Sequence, residues 1–553
     1  MSDTARTVVS TIAERWAVPG GVVVAVDRHR EVFTHRFGHA DVSARIPVGP
    51  QHLFEIGSIS KVFNSIGILQ LVRRGLIRLD DPIGAVLEWL PEPLRAAEIT
   101  IERLLTHTAG LVAGVEALPD EFGQVAAFTG AVSTAHPGTF FHYSNLGFLL
   151  LGLAASEVCG RRIVDLVRED VLAPLGMTST ITCVTHADYP SLARGYQALH
   201  DDQPWTPGDP LVQAPWLEVA GADGNIAATA ADLAIFARML LGRGSLGDTT
   251  ILQPTEFETM IGSTATDGED VLALPGVPAT DTSRYGLGVN VERVAGRTVL
   301  THGGGMVGYA SFLLADLDDG LGVCVLTNAN GDSPVAEAIA RSVAAELKSP
   351  GSVDIPGLTP QWWPAEVEDR GYVGEFVDGT AESEELQLIR VSVEERGPDR
   401  VRLTIEFADR REPLLRTWTR GAVVKTAELA KFSLTFRDDA WHWGPRTFTR
   451  AGTAVPAVPA AEELEVFCGH YRAYTPWFTN FRVILRQGRL FLIAPGGVEA
   501  PTDDAELVPL GGRTFRIGAD PRMPERITFG PPIGGTTPWV QRDGCQYSRA
   551  FTD

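Results

Sequence analysis

The sequence predicts an α+β domain over residues 1–348, followed by two small antiparallel β-barrels over 366–450 and 462–553. Three observations predict it. Apolar, β-branched runs stand at both ends of the first part, with helix-period segments between them. Two Pro-rich stretches, 349–365 and 451–461 (AGTAVPAVPAA), read as linkers because Pro and Gly at that density stop helices and leave little to bury. Beyond the first linker the chain turns to short alternating strands and opens twice on a Gly–aromatic pattern, Tyr372-Val373-Gly374-Glu375-Phe376 and Phe467-Cys468-Gly469-His470-Tyr471.

Taken in order, residues 21–26 and 32–37 are apolar runs separated by a polar turn, which predicts a hairpin. Ser60–Arg73 predicts an amphipathic helix with Val62, Ile66, Leu69 and Val72 on one face. Residues 146–158 and 229–241 predict further helices, and 297–301, 310–315 and 322–327 predict consecutive antiparallel strands. A last helix ends at Lys348, where Ser349-Pro350-Gly351 begins the first linker. In the C-terminal third, 401–407, 432–436, 481–485 and 489–493 read as strands.

Composition narrows the partners. The chain is 44% hydrophobic and 21% charged, which excludes a disordered, collagenous or coiled-coil protein. Lys+Arg 47 against Asp+Glu 69 leaves a net charge of −22, which repels nucleic-acid phosphates and anionic lipid. Neither nucleic acid nor membrane is therefore an expected partner. Five scattered cysteines without a C-x-x-C give no zinc ribbon or disulfide framework. The N-terminal residues lack a signal peptide's apolar core, and the apolar stretch 146–158 falls short of the roughly 20 residues that span a bilayer. The expectation is a cytoplasmic protein without metal or cofactor.

Three local patterns carry chemistry. In Phe54-Glu55-Ile56-Gly57-Ser58-Ile59-Ser60-Lys61 a helix starts at or just after Ser58, so Lys61 at i+3 can reach the Ser58 hydroxyl. A serine there also has free N–H groups and the positive helix end beside it. The same residues would serve equally as an N-cap and a solvated lysine. In the loop before the 146–158 helix, Tyr143 and Asn145 stand two apart and place a phenol and a carboxamide on one side. The phenol works as a base only beside a cation such as Lys61, and core packing with Asn145 as a cap is the alternative. Finally, a strand runs into His302-Gly303-Gly304-Gly305, where the glycines let backbone approach a ligand. Residues 303–308 also satisfy G-x-G-x-x-G, but the strand-like 309–314 follows where a dinucleotide site needs a helix. His35 and His39 read as surface residues, His107 as packed and hydrogen-bonded, and neither H-E-x-x-H nor G-x-S-x-G occurs. The aromatic run from Tyr471 to Phe481 reads as barrel core, or as a loop reaching over the site.

In this order Ser-x-x-Lys, Tyr-x-Asn and His-Gly-Gly resemble the signature of the penicillin-recognising serine hydrolases. The similarity lies in the branch that holds class C β-lactamases, DD-peptidases of that type, D-aminopeptidases and related esterases. Residues 69–83 (LQLVRRGLIRLDDPI), 99–111 (ITIERLLTHTAGL), 137–152 (PGTFFHYSNLGFLLLG) and 172–180 (LAPLGMTST) agree, so the resemblance covers 10–347. The C-terminal third is similar only through the lipocalin-like β-barrels that some relatives carry. The resemblance implies a class C β-lactamase-like domain in which Ser58 is acylated and Lys61 and Tyr143 transfer the proton. Asn145 would orient both, the N–H groups of Ser58 and Gly305 would form the oxyanion hole, and Gly303 and Gly304 would line the bound substrate. His302 stands where many relatives carry Lys, although related DD-peptidases use His. The implied substrate is a small molecule or short peptide, most plainly the amide of a D-amino acid. A carboxylesterase, an acyl transferase and an inactive scaffold or sensor are the alternatives, and a homo-oligomer is compatible with the family.

Overall fold

The computed structural model describes residues 2–551 apart from 97, 115–120, 128–134, 330–332, 356–360, 368–369, 380–386, 398–399, 418–420, 426–428, 454–460 and 497–502. The second expected linker, 451–461, therefore lies mostly outside the described residues.

The first part is built on an antiparallel sheet. Its strands are β1 (Gly20–Val26), β2 (Glu31–Asp41), β3 (Ile46–Pro47), β4 (Thr280–Tyr285), β5 (Asn290–Val294), β6 (Arg297–Met306), β7 (Tyr309–Asp316) and β8 (Leu321–Thr327). Among the described residues they lie in the order β4-β5-β6-β7-β8-β1-β2-β3, so the chain's first strands close onto its last, with Val23 opposite Val325. The sequence GGVVVAV of β1 is buried throughout because both sheet faces are covered. Val22, Val24 and Val26 face the larger core, whereas Val23 and Ala25 face α1 (Ser2–Arg15) and α5 (Val335–Lys348). A strand covered on both faces reads as a continuous apolar run, which explains its composition. The helical region on the other face includes α2 (Ser60–Arg73), α3 (Asn145–Cys159) and α4 (Ala230–Leu241).

The helix α2 departs from its expected amphipathic character, since Ser60 to Leu71 are all buried. The 3–4 spacing found one apolar face, but Phe63, Ile68 and Leu71 supply others, and the polar residues bond inward. Asn64 Nδ2 donates to Ala222 O at 2.7 Å and to Asn225 Oδ1 at 3.0 Å, and Gln70 Nε2 donates to Ile251 O at 3.1 Å. The amide nitrogens are satisfied in this way, whereas Asn64 Oδ1 and Gln70 Oε1 are buried without a hydrogen-bond partner among the described residues. At the start of α3 the cap is Ser144, whose Oγ accepts from Gly147 N–H at 3.0 Å, which leaves the Asn145 side chain available for the site.

Strand β6 is longer than its apolar core suggested. It continues through His302 and the three glycines, paired with β7 to the end (Gly304 opposite Ser311, Gly305 opposite Ala310). Its pairing with β5 stops at Thr301 opposite Asn290. A Cβ on Gly304 would fall 1.9 Å from Ile56 O, and one on Gly57 would fall 2.6 Å from Gly305 O. Only glycine permits this approach, and Gly57 also needs its positive φ of 51°. The 3₁₀ turn Gly57–Ile59 is thereby pressed against the glycine end of β6, and Ser311 Oγ pins it by donating to Ile56 O at 2.9 Å.

The C-terminal third holds one nearly closed sheet and one closed barrel. In the former, Trp363–Pro364, which the sequence placed in a linker, pairs with Arg400 and Val401, and Trp363 is buried. The latter closes when Gly469–Arg472 pairs with Cys545–Arg549. From the aromatic run, Tyr471, Phe478 and Phe481 fill the barrel core, while Tyr474 is fully exposed. The barrel is tied to the first part by Arg472, which forms a bidentate pair with Asp201 at 2.8 and 2.9 Å. Among the described residues no helix is long and apolar enough to cross a membrane, and no group of three His, Cys, Asp or Glu is placed to hold a metal.

Candidate active site

Ser58 sits in the 3₁₀ turn ahead of α2, and Lys61 one turn on is fully buried. Its ammonium has three N–H donors, and three acceptors surround it. Nζ donates to Ser58 Oγ at 2.9 Å, to Asn145 Oδ1 at 2.7 Å and to Asp223 O at 2.7 Å. Each bond comes from a different segment, so the lysine fixes the turn, the start of α3 and the 221–224 loop relative to one another. The ammonium also stands 5.0 Å from the centroid of the Tyr143 ring and 5.5 Å from that of Phe148, close enough for cation–π attraction. The sequence-level alternative, a solvated lysine, does not describe this geometry. Ser60, the other serine of the turn, is buried and accepts from Ile226 N–H at 3.0 Å, so its hydroxyl is committed to the backbone.

Ser58, Tyr143, Gly303, Gly304 and Gly305 line one cavity of about 340 Å³. Of the expected site residues, the structure therefore brings Ser58, Lys61, Tyr143, Asn145 and the three glycines together. His302 is placed differently. It is fully buried within β6, where its Nδ1–H donates to Gly303 O at 2.7 Å. That leaves Nε2 to accept from the Tyr285 hydroxyl at 2.6 Å. Burial pushes the imidazole down to about 3, so it is neutral at pH 7 and offers the cavity no positive charge. The Tyr285 ring packs on His107 at 4.6 Å, and His107 packs on Tyr143 at 4.2 Å. As expected, His107 is a packed, hydrogen-bonded residue: its Nδ1 accepts from Ser144 N–H at 3.0 Å.

Sequence reasoning missed the acidic wall of this cavity. Glu269, Asp270, Glu292 and Glu337 line it with one cation, Arg341. Arg341 pairs with Glu292 at 2.7 and 2.9 Å and with Glu337 at 2.7 Å. Loss of solvation, then the neighbouring Glu337, pushes the Glu269 carboxyl up to about 8. Asp223, half-buried beside Lys61, is likewise raised by burial against the pull of the ammonium. With Glu269 protonated at neutral pH, Asp270, Glu292 and Glu337 still outnumber the one guanidinium, so the wall favours a cationic group over a carboxylate. No motif announces this, because the residues come from a loop, a strand and a helix that meet only in the fold.

Comparison with known proteins agrees with this architecture. A family model described as Beta-lactamase matches residues 8–348. Penicillin-binding protein 4* of Bacillus subtilis is 23% identical over 434 residues, covering 72% of this chain and 88% of that protein. The D-aminopeptidase of Gluconobacter oxydans is 27% identical over 353 residues, covering 62% of this chain and 61% of that protein. Among solved structures, the octameric penicillin-binding protein homologue from Pyrococcus abyssi superposes with a TM-score of 0.55 at 20% identity, over 89% of this chain and 98% of that one.

Proposed function

Because the chain belongs to the beta-lactamase family over residues 8–348, we propose that it is a serine hydrolase that acylates Ser58 and cleaves an amide whose acyl or leaving group carries a protonated amine. The observation that carries this reading is the Lys61 ammonium, bonded at once to Ser58 Oγ and Asn145 Oδ1 beneath the Tyr143 ring. A nucleophile with a proton-transfer group in reach is what covalent acyl transfer requires.

In this mechanism Ser58 Oγ attacks the substrate carbonyl carbon, and its proton passes to the Tyr143 oxygen, which the Lys61 cation keeps basic. The N–H groups of Ser58 and Gly305 receive the developing oxyanion. The close approach of Gly57 to Gly305 supports that role, because it puts both peptides on one wall. Donors so placed are commonly worth about 3–4 kcal/mol each in the transition state. Collapse of the intermediate breaks the C–N bond, and the leaving amine takes the proton from Tyr143. Water then repeats the sequence at the acyl-enzyme and releases the acid.

The acidic wall supports a substrate with a free amine, and the neutral, buried His302 gives no cationic anchor for a substrate carboxylate. A D-amino-acid amide or short D-peptide combines an amide with such an amine, and the similarity to a D-aminopeptidase supports that choice. The test is a panel of D- and L-amino-acid p-nitroanilides, each with free and acetylated α-amine, beside p-nitrophenyl esters. The free-amine D-anilides should be the best amides. Acetylation should lower kcat/KM by about 10–100-fold, as loss of a hydrogen bond to a charged group does. Turnover of esters alone, indifferent to acetylation, would make the chain an esterase and overturn the amide reading.

A further inference from the structure

The closed barrel reaches the segment beside the site through Glu525. Between its strands Thr514–Ile517 and Arg526–Phe529 lies Glu525, whose Oε1 accepts from His142 Nε2–H at 2.7 Å and from Ala113 N–H at 3.0 Å. Both side chains of the pair are largely buried, with 16% of His142 and 12% of Glu525 exposed. Burial alone would push the carboxyl up. The bonds from His142 and Ala113 more than offset it, and Glu525 is held below the usual glutamate range.

His142 immediately precedes Tyr143, and Ala113 holds the other end of the same strip, since its carbonyl accepts from Asn145 N–H at 2.6 Å. On its inner side the strip bonds to the turn at 107, with His142 N–H donating to His107 O at 2.8 Å. Arg522 of the barrel adds a cation 5.1 Å from the Phe140 ring centroid. The segment bearing Tyr143 and Asn145 is thus held from inside by the helical region and from outside by the barrel, through the Glu525 carboxylate and Arg522.

We propose that Glu525 is a positioning residue for Tyr143 and Asn145: the barrel supplies a buried carboxylate that fixes the strip carrying both against Lys61. This rests on the acyl-enzyme reading above. Glu525 touches neither substrate nor reacting atoms and acts through His142 and the Ala113 backbone. Losing it leaves two partly buried N–H donors unsatisfied beside a segment whose placement sets the proton-transfer distance.

The test uses the full chain with Glu525→Ala, Glu525→Gln, His142→Phe and the double variant Glu525→Ala/His142→Phe. Each is assayed for kcat and KM per fluorophosphonate-titrated site and for Tm. Glu525→Ala should lower kcat by about 10–100-fold, the scale of a misplaced catalytic group, with KM changed much less. Glu525→Gln keeps an acceptor oxygen at the same place and should recover most of kcat. His142→Phe should reproduce much of the loss, and the double variant should lose less than the product of the two. A lowered Tm with unchanged kcat per titrated site would overturn the proposal, as would losses that multiply or a Gln variant no better than Ala. If Glu525→Ala does not fold, the Gln and His142→Phe variants decide it by the same kcat criterion. Failure of the wild-type chain to titrate with fluorophosphonate would instead strike the acyl-enzyme reading.

Discussion

Ser58→Ala should lower turnover of the best chromogenic substrate by about 10⁴–10⁶-fold, the range seen when a serine hydrolase loses its nucleophile. The fold should survive. Ser58 is only partly buried, and its removal leaves the Lys61 ammonium bonded to Asn145 Oδ1 and Asp223 O at 2.7 Å each. Tm should therefore stay within a few degrees while kcat collapses. Residual activity within tenfold of wild type would mean that another group attacks. Ser60 is poorly placed to replace it, because its hydroxyl is buried against Ile226 N–H.

The second large effect concerns Lys61 and Tyr143. Lys61→Met and Tyr143→Phe should each cost about 10³–10⁵-fold in kcat, and the double variant should cost little more than the worse single one. Residues that move one proton as a unit lose their function once, whichever is removed. The structure supports that unity, with the ammonium 5.0 Å from the phenol ring and bonded to Ser58 Oγ. Stability is a separate matter. Lys61→Met strands acceptors on Ser58, Asn145 and Asp223 but also removes a charge buried at a desolvation cost, so the two terms oppose. Measured kcat losses that multiply across the cycle would show two residues acting independently and reject the pair.

What was legible in the sequence was what local spacing encodes. Ser58 and Lys61 lie one helical turn apart, and Tyr143 and Asn145 two residues apart, so their sides could be read directly. The hairpin β1–β2 and the succession β6–β7–β8 followed from apolar β-branched runs. What was not legible depends on contacts between distant segments. The burial of α2 on every side needed partners for Asn64 and Gln70 that only the 222–225 loop and Ile251 supply. The continuation of β6 through its glycines runs against strand propensity, and pairing with β7 overrides that propensity. His302 takes its expected role from the position where relatives carry Lys. It follows Leu300 on the β6 face turned to the helical region, and there burial and the Tyr285 hydroxyl take up its ring, a contact that only the fold supplies. The acidic wall and Glu525 left no local signature, since each joins residues that are remote in the chain. The aromatic run from Tyr471 to Phe481 supplies barrel core, and the barrel's contact with the segment that precedes Tyr143 comes from Arg522 and Glu525.

The claim on which the rest depends is that Ser58 is the acylated residue. Its most direct test is peptide mapping by mass spectrometry after reaction of the wild-type chain with a fluorophosphonate, beside the Ser58→Ala variant treated identically. The account predicts a single adduct on the peptide containing Ser58, with fragment ions assigning it to Ser58 rather than Ser60, and no adduct on the variant. An adduct on any other residue, or one that persists in Ser58→Ala, would contradict it.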